Sequence, residues 1–306
     1  MKAARITAFG GPDVLTVVEM LTRDLQPDDA AVRVEAAGLN PLDVKIVAGY
    51  MQQVFPVLFP YVPGNDFSGV VEAVGANVTH LQPGDRVFGR SAPSVGGALA
   101  QHIVIAAADL CVIPSAMSFE QAAAVPTAFG TARHALFDKG RLQRGERVLI
   151  HAAAGGVGGM AVQQAHLAGA YVIATTSVAN RELVMSLGAD EVIDYRTQDI
   201  AELRDIDLVL DTIGGETLEK SWSVLRAGGR IATIVEFGIE SRSGHAGESV
   251  FFASATPWLK EAVRQFEAGQ LQVVIDSIYP LAEARAALEK LATGHARGKV
   301  VVRTRG

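Results

Sequence analysis

The segment from His151 to Ala161 reads HAAAGGVGGMA, residues that offer little acid–base chemistry but are spaced so that the backbone itself can hold an anion. Ala153, Gly155 and Gly158 occupy the three small positions of the G-x-G-x-x-G pattern, with alanine in place of the first glycine. The first small residue permits a tight turn, the second lets a pyrophosphate approach the backbone, and the third lets helix and strand pack closely. The amides of Gly156, Val157 and Gly158 then open a helix and face the anion, aided by the helix dipole. A strand-like run, RVLI at 147–150, precedes the pattern and an amphipathic helix follows it, the context in which it denotes a dinucleotide site. An NAD site places an acid about 20 residues beyond the glycines, on the ribose hydroxyls. Here Ser177 stands at that place, no acid occurs between Gly158 and Arg181, and Arg181 follows four residues after Ser177. An uncharged hydroxyl at the place an NAD site gives to an acid, with a guanidinium that can bind a 2′-phosphate in a fork, makes NADPH the expected cofactor.

Other chemistry is sparse. Cys111 is the only cysteine, so neither an intrachain disulfide nor a thiolate zinc cluster can form. Between Leu110 and Val112 it reads as a small strand hydrophobe, and a chain of this kind suits a reducing cytoplasm. His80, His102, His134, His151, His166, His245 and His295 show no metal-ligand spacing and read as surface or core residues. A net charge of −6 with no Lys/Arg cluster removes the electrostatic basis for binding nucleic acid or an anionic membrane. The start, MKAARITAFGGPDVL, lacks the apolar stretch of a signal peptide, and no apolar run approaches the ~18 residues of a membrane span.

The elements that must position these residues fall into three stretches. From residue 1 to about 117, short β-like runs such as AAVRVEAAG, SGVVEAVG and AQHIVIA are punctuated by Gly, Pro and Asp. The alanine-rich SFEQAAAVPTAFGTARHALFD then has helical spacing, interrupted at Pro126. Strands and helices alternate from RVLIHAA to RIATIVEF, the pattern of a parallel sheet covered on both faces. Gly169, Gly188 and Gly228 follow three helical segments as left-handed caps. From Trp258 the order is helix, strand, helix, strand. The expected fold is α/β: a Rossmann-type doubly wound parallel sheet at 118–256, inserted into a mostly β domain formed by 1–117 and 257–306.

Several segments together resemble the medium-chain dehydrogenase/reductase superfamily over essentially the whole chain: GLNPLDVKIVAG at 38–49, VPGNDFSGVV at 62–71, GDRVFG at 84–89, AAVPTAFGTA at 123–132, AAAGGVGG at 152–159, LGADEVIDY at 187–195 and GHARGKVVV at 294–302. Within it the likeness is to the zinc-free quinone oxidoreductase branch, which includes the ζ-crystallin-like proteins. The resemblance implies that the outer domain is GroES-like. Zinc alcohol dehydrogenases of the superfamily carry cysteine where this chain has Asn40, and Gly-His-Glu where it has Gly64-Asn65-Asp66. Neither a catalytic nor a structural zinc is therefore expected, since the segment after residue 89 is also free of cysteine clusters. Without a metal or positioned acid, quinones and enones are the natural acceptors, because hydride addition to them gives a delocalised anion that solvent can protonate.

Carried over residue by residue, the resemblance implies that Asn40, Asp43 and Lys45 line the nicotinamide end of the site, with Tyr50 close by. It puts Thr127 near the carboxamide, Thr212 and Phe237 along the ribose–nicotinamide stretch, and Ser177, Arg181 and Tyr195 around the 2′-phosphate. Asn40 and Asp43 also read as turn formers beside Pro41, and Thr127 as a helix-start residue beside Pro126. An alkenal or enoyl double-bond reductase, and a low-turnover NADPH-binding sensor or structural protein, remain open alongside quinone reduction. The resemblance further implies a homodimer paired near SVFFA at 249–253, an apolar edge that needs covering.

Overall fold

The computed structural model describes residues 1–251 and 254–305. Alternating polar and apolar residues near the start fold as antiparallel strands. β1 (Lys2–Arg5) pairs with β2 (Thr16–Glu19), and the long β3 (Asp29–Gly38) is buried at nearly every second position. Helix α1 (Pro41–Val47) opens on Asn40, whose amide donates to the Asp43 side chain, and Pro41 fills a position that needs no hydrogen-bond donor. β4 (Asp66–Val74), β5 (Arg86–Arg90), β6 (His102–Ala106) and β7 (Leu110–Val112) follow. The alanine-rich stretch makes α2 (Phe119–Ala123), started by a Ser118–Gln121 capping box, and α3 (Pro126–Arg133), with the break immediately before Pro126.

The alternating region then yields β8 (Arg147–Ile150), α4 (Gly156–Leu167), β9 (Tyr171–Thr176), α5 (Arg181–Ser186), β10 (Glu191–Asp194), β11 (Ile206–Asp211), α6 (Gly215–Ser221), β12 (Leu225–Thr233) and β13 (Ala246–Ser249). The chain finishes with α7 (Thr256–Glu267), β14 (Ile275–Pro280), α8 (Ala284–Ala292) and β15 (Lys299–Arg303).

Two compact units result. One comprises Met1–Thr127, Ala253–Glu267 and Val273–Gly306, and the other Ala128–Phe252 with Ala268–Gln272. The division after Thr127, instead of after residue 117, follows from the packing of α2 on β3 and β4. Gly38 of β3 lies so close to α2 that a Cβ there would stand 2.1 Å from the Ala123 carbonyl oxygen. Residues 268–272 return to the second unit because the buried Gln163 side chain donates to the Gln272 carbonyl at 3.1 Å and accepts its amide at 2.7 Å.

The sheet of the first unit runs β14-β15-β3-β4-β5-β7, with β6 also on β3, and its core is built on Leu39, Ile46, Phe67 and Leu99. β15 lies antiparallel to β3, which brings the far end of the chain beside the N-terminal strands. The second unit is a six-stranded parallel sheet of order β10-β9-β8-β11-β12-β13 around Leu149, Ile173, Val209 and Ile231. This is the doubly wound Rossmann order, in which the strand sequence reverses beside β8 and opens a site at the carboxyl ends.

Gly169 and Gly188 close α4 and α5 in the left-handed region, at φ of 79° and 107°. Gly228 does not cap a helix: α6 ends earlier, and Gly228, at φ 74°, lies inside β12 where its register with β11 shifts. β13 is the outer strand of its sheet, while Phe252 and Ala253 of the expected dimer segment lie outside the described residues. Among the described residues, no helix is long and apolar enough to cross a membrane.

The Gly38 contact is testable. Gly38→Ala is expected to destabilise the protein by about 1–3 kcal/mol, the usual cost of overpacking, as measured by urea denaturation.

Candidate active site

The residues singled out for chemistry fall into two groups, one in each unit. In the second unit they line one edge of the parallel sheet. Ser177 follows β9 and Tyr195 follows β10, and since Asp194 pairs with Thr176 the two strands end side by side. The glycine-rich turn follows β8, Thr212 follows β11, and Phe237 comes four residues after the end of β12. Asp211 pairs with Thr233, so β11 and β12 also end level.

The turn has the features a bound pyrophosphate requires. Gly155 precedes α4 in extended conformation, and the nearest atom to a Cβ built on it would be the Ala152 carbonyl oxygen, at 3.3 Å. That contact is tight and would ask the carbonyl to give by a few tenths of an ångström, whereas Gly158 has no room at all: a Cβ would lie 2.3 Å from that same oxygen and 2.8 Å from the Ala153 Cα. The Ala153 amide is fixed to the Thr175 carbonyl at 3.0 Å, and the first local bond of α4 runs from the Gly159 amide to the Gly155 carbonyl at 2.9 Å. The amides of Gly156, Val157 and Gly158 occupy the first turn, where a helix has no carbonyl of its own to offer.

Arg181, the first residue of α5, is exposed, and its guanidinium donates through Nη1 to the Val192 carbonyl at 3.0 Å. One of five donors is thus used to anchor the fork over β10. Tyr195 is half exposed, with the Arg196 guanidinium 5.7 Å from its ring centre, and Asp194 turns its carboxylate to the Arg196 amide at 3.1 Å. Thr212 is tied by its hydroxyl to the His151 carbonyl at 2.9 Å, and Phe237 is exposed.

His151 itself is buried beneath the turn. Ser221 gives its hydroxyl proton to the Thr217 carbonyl at 2.7 Å, so at 2.9 Å it must accept from His151 Nε2. Nδ1 then accepts from the Thr175 hydroxyl at 3.2 Å, which makes the ring neutral. Burial pulls its pKa down to about 4, against an opposing pull from Asp211. The sequence reading gave His151 a surface or core role, and the core is where it lies.

In the first unit, Asn40, Asp43 and Thr127 come together around a residue that sequence reasoning did not place in the site, Asp66. Its buried carboxylate accepts from Asn40 Nδ2 at 3.0 Å, from the Thr127 amide at 3.1 Å and from the Thr127 hydroxyl at 2.6 Å. The Lys299 ammonium stands 3.5 Å away and also donates to Asn40 Oδ1, while Arg90 Nε donates to the Thr127 hydroxyl oxygen at 3.0 Å. Asn40 therefore spends both ends of its side-chain amide inside the protein.

Asp43 accepts the Asn40 amide on one oxygen at 2.7 Å, and its other oxygen is buried without a partner. Burial pushes its carboxyl up to about 7, the Asp66 charge adds to this, and the Asn40 amide, Lys299 and Arg90 oppose it. Burial likewise pulls Lys299 and Arg90 below their ordinary ranges, against the two carboxylates. Lys45 and Tyr50 are not part of this network: Lys45 is half-buried on α1, and Tyr50 is 81% exposed. The one signal for Lys299 and Arg90 was their position inside runs already noted or adjoining them, HARGKVVV and GDRVFG.

Comparison with known proteins gives the class. Residues 26–115 match the alcohol dehydrogenase GroES-like domain and residues 187–302 the zinc-binding dehydrogenase family. The human quinone oxidoreductase is 32% identical, over 99% of this chain and 97% of its own length. The quinone oxidoreductase of Coxiella burnetii superposes with a TM-score of 0.91 at 31% identity, covering 100% of this chain and 99% of the other. The Escherichia coli quinone oxidoreductase, solved in complex with NADPH, superposes with a TM-score of 0.88 at 28% identity over 99% and 100% of the two chains. With a GroES-like unit and a Rossmann sheet, the chain belongs to the quinone oxidoreductase branch of the medium-chain dehydrogenase/reductase superfamily. It is an NAD(P)H-dependent oxidoreductase.

The raised Asp43 carboxyl carries a pH signature. Folded Asp43 holds its proton to about 7 where the unfolded chain releases it near 4, so this group costs stability as pH rises through that window. His151 acts in the opposite sense below about 6.5, because unfolding lets it take up a proton that the buried ring refuses. The difference between wild-type and Asp43→Asn urea curves isolates the carboxyl. It is expected to favour the variant increasingly from pH 4 to pH 7, by a few kcal/mol on the order of magnitude, and to level off above.

Proposed function

We propose that this protein transfers hydride from NADPH to quinones and related conjugated carbonyls without using zinc. The cofactor reading is carried by the row Tyr195, Ser177 and the glycine turn at the ends of β10, β9 and β8, with the Arg181 fork anchored over β10. A 2′-phosphate needs hydrogen-bond donors and no competing carboxylate, and hydroxyls and a guanidinium supply that chemistry. Asp194, at the end of β10, is engaged by the Arg196 amide.

In this reading the amides of Gly156, Val157 and Gly158 bind the pyrophosphate, with Ala153 and Gly155 shaping the turn. Ser177, Arg181 and Tyr195 hold the 2′-phosphate. Thr212 and Phe237 border the ribose–nicotinamide stretch. Asn40, Asp43, Lys45, Tyr50 and Thr127 form the acceptor side. The bound nicotinamide supplies a hydride. A quinone that accepts it becomes a hydroquinone monoanion, whose charge is spread over the ring and which takes one proton from solvent.

The side chains present do not fit a catalytic zinc. Asn40 and Asp66, at two of the positions where zinc dehydrogenases differ from this chain, are bridged by the Lys299 ammonium, a cation that a divalent metal would have to expel. The relatives' names support the acceptor class, since both structures and the human protein are called quinone oxidoreductases.

NADPH oxidation should be measured with 1,4-benzoquinone, 9,10-phenanthrenequinone, 2-alkenals and enoyl thioesters. Turnover on the quinones is the expected result. Turnover confined to alkenals or thioesters would instead make the protein a double-bond reductase, and tight NADPH binding with no oxidation would make it a sensor. Arg181→Glu is expected to weaken NADPH by about two orders of magnitude, and NADH by less than about threefold, in fluorescence titrations. Equal losses for the two would refute the phosphate assignment.

A further inference from the structure

Lys299 lies in β15 and is buried, a costly place for an ammonium unless its charge is answered. Asp66 Oδ2 at 3.5 Å and Asn40 Oδ1 answer it. Asp66 in turn holds Thr127 by amide and hydroxyl, and Arg90 secures that hydroxyl oxygen from the other side. Two carboxylates, Asp43 and Asp66, thus face two cations, Lys299 and Arg90, drawn from α1, β4, β15 and β5. Nothing in this arrangement offers Lys299 a second occupation, since both its oxygen contacts belong to residues implicated in the site.

We infer that Lys299 is a positioning residue for hydride transfer, an internal ammonium that holds Asn40 and Asp66 in register and thereby fixes Thr127. Removing its charge leaves Asp43 and Asp66 opposed by Arg90 alone. The Asp43 carboxyl then becomes harder to ionise, because Lys299 is one of the charges that hold it down while Asp66 and burial push it up and Tyr61 lies within its field. The inference rests on the proposed function, in which Thr127 and Asn40 serve the nicotinamide end.

The test compares Lys299→Met, Lys299→Arg and the charge-neutral double variant Lys299→Met/Asp66→Asn with wild type. Breaking one partner of a buried pair can prevent folding, whereas removing both charges is far better tolerated, so the double variant keeps the test open. Two measurements are independent of turnover: the pH midpoint of the Asp43 carboxyl carbon and the amide resonance of Thr127, both by NMR. NADPH affinity and the kcat and KM for 1,4-benzoquinone complete the set.

In Lys299→Met the Asp43 midpoint is expected to move upward by more than about half a unit and the Thr127 amide to shift. NADPH affinity should stay within about threefold because the glycine turn is untouched, and kcat should fall at least about tenfold with KM little changed. Lys299→Arg should recover a third or more of the lost rate. The double variant, if it alone folds, should show the same Thr127 shift and kcat loss. The inference is overturned if the folded variant keeps the wild-type Thr127 resonance and kcat, or if Lys299→Arg loses as much rate as Lys299→Met, which would mark a merely structural lysine. A wild-type protein that oxidises NADPH with none of the acceptors would sink the proposed function instead, and the two NMR readouts would then decide the bracing role by themselves.

Discussion

A carboxylate sealed away from water must be compensated, and Asp66 is the point where this chain meets that requirement. It sits on a central strand of the first sheet with no exposed surface, and its partners come from α1, from the start of α3 and from the last strand. A charge in such a place is tolerated only when hydrogen bonds and countercharge surround it, so the elements that bring those groups are held to one arrangement. The apolar core beneath supplies the bulk of the stability, being nondirectional, while the polar cluster specifies which residues face one another.

The second unit obeys a different rule. Parallel strands linked by crossovers all end on the same side, so residues far apart in sequence, Tyr195, Ser177, Gly155, Thr212 and Phe237, are lined up by topology. The glycine turn adds the local detail. Gly158 is compelled by packing against Ala152 and Ala153, whereas a Cβ at Gly155 would crowd the Ala152 carbonyl oxygen alone, and by far less.

Much of this was legible in the order of residues. Strand and helix periods, the Pro126 break and the caps at Gly169 and Gly188 are local signals, and each appears where the pattern put it. The glycine turn was legible for the same reason. The Asp66 cluster was not, because a buried ion pair between residues far apart leaves no periodic trace, and Lys299 at the head of KVVVR looks like any solvated strand residue. Asn40 illustrates the limit from the other direction: it is the helix-opening residue its neighbour Pro41 suggested and also a partner of the buried Asp66, a contact that its sequence neighbours could not show. Gly228 failed as a helix cap because α6 is shorter than its apolar spacing implied and the chain enters β12 early.

The position of Lys299 has a bearing on how the protein comes into being. It meets Asn40 across a sequence separation of 259 residues, so on the ribosome the first strands emerge, and the whole inserted sheet is translated, before this second cation joins Arg90. Until then Arg90 is the one cation of this cluster that the two acids can meet, which favours loose docking of β3 on β4 over premature closure. The final strand then acts as a latch: only a chain translated through residue 299 can complete the cluster.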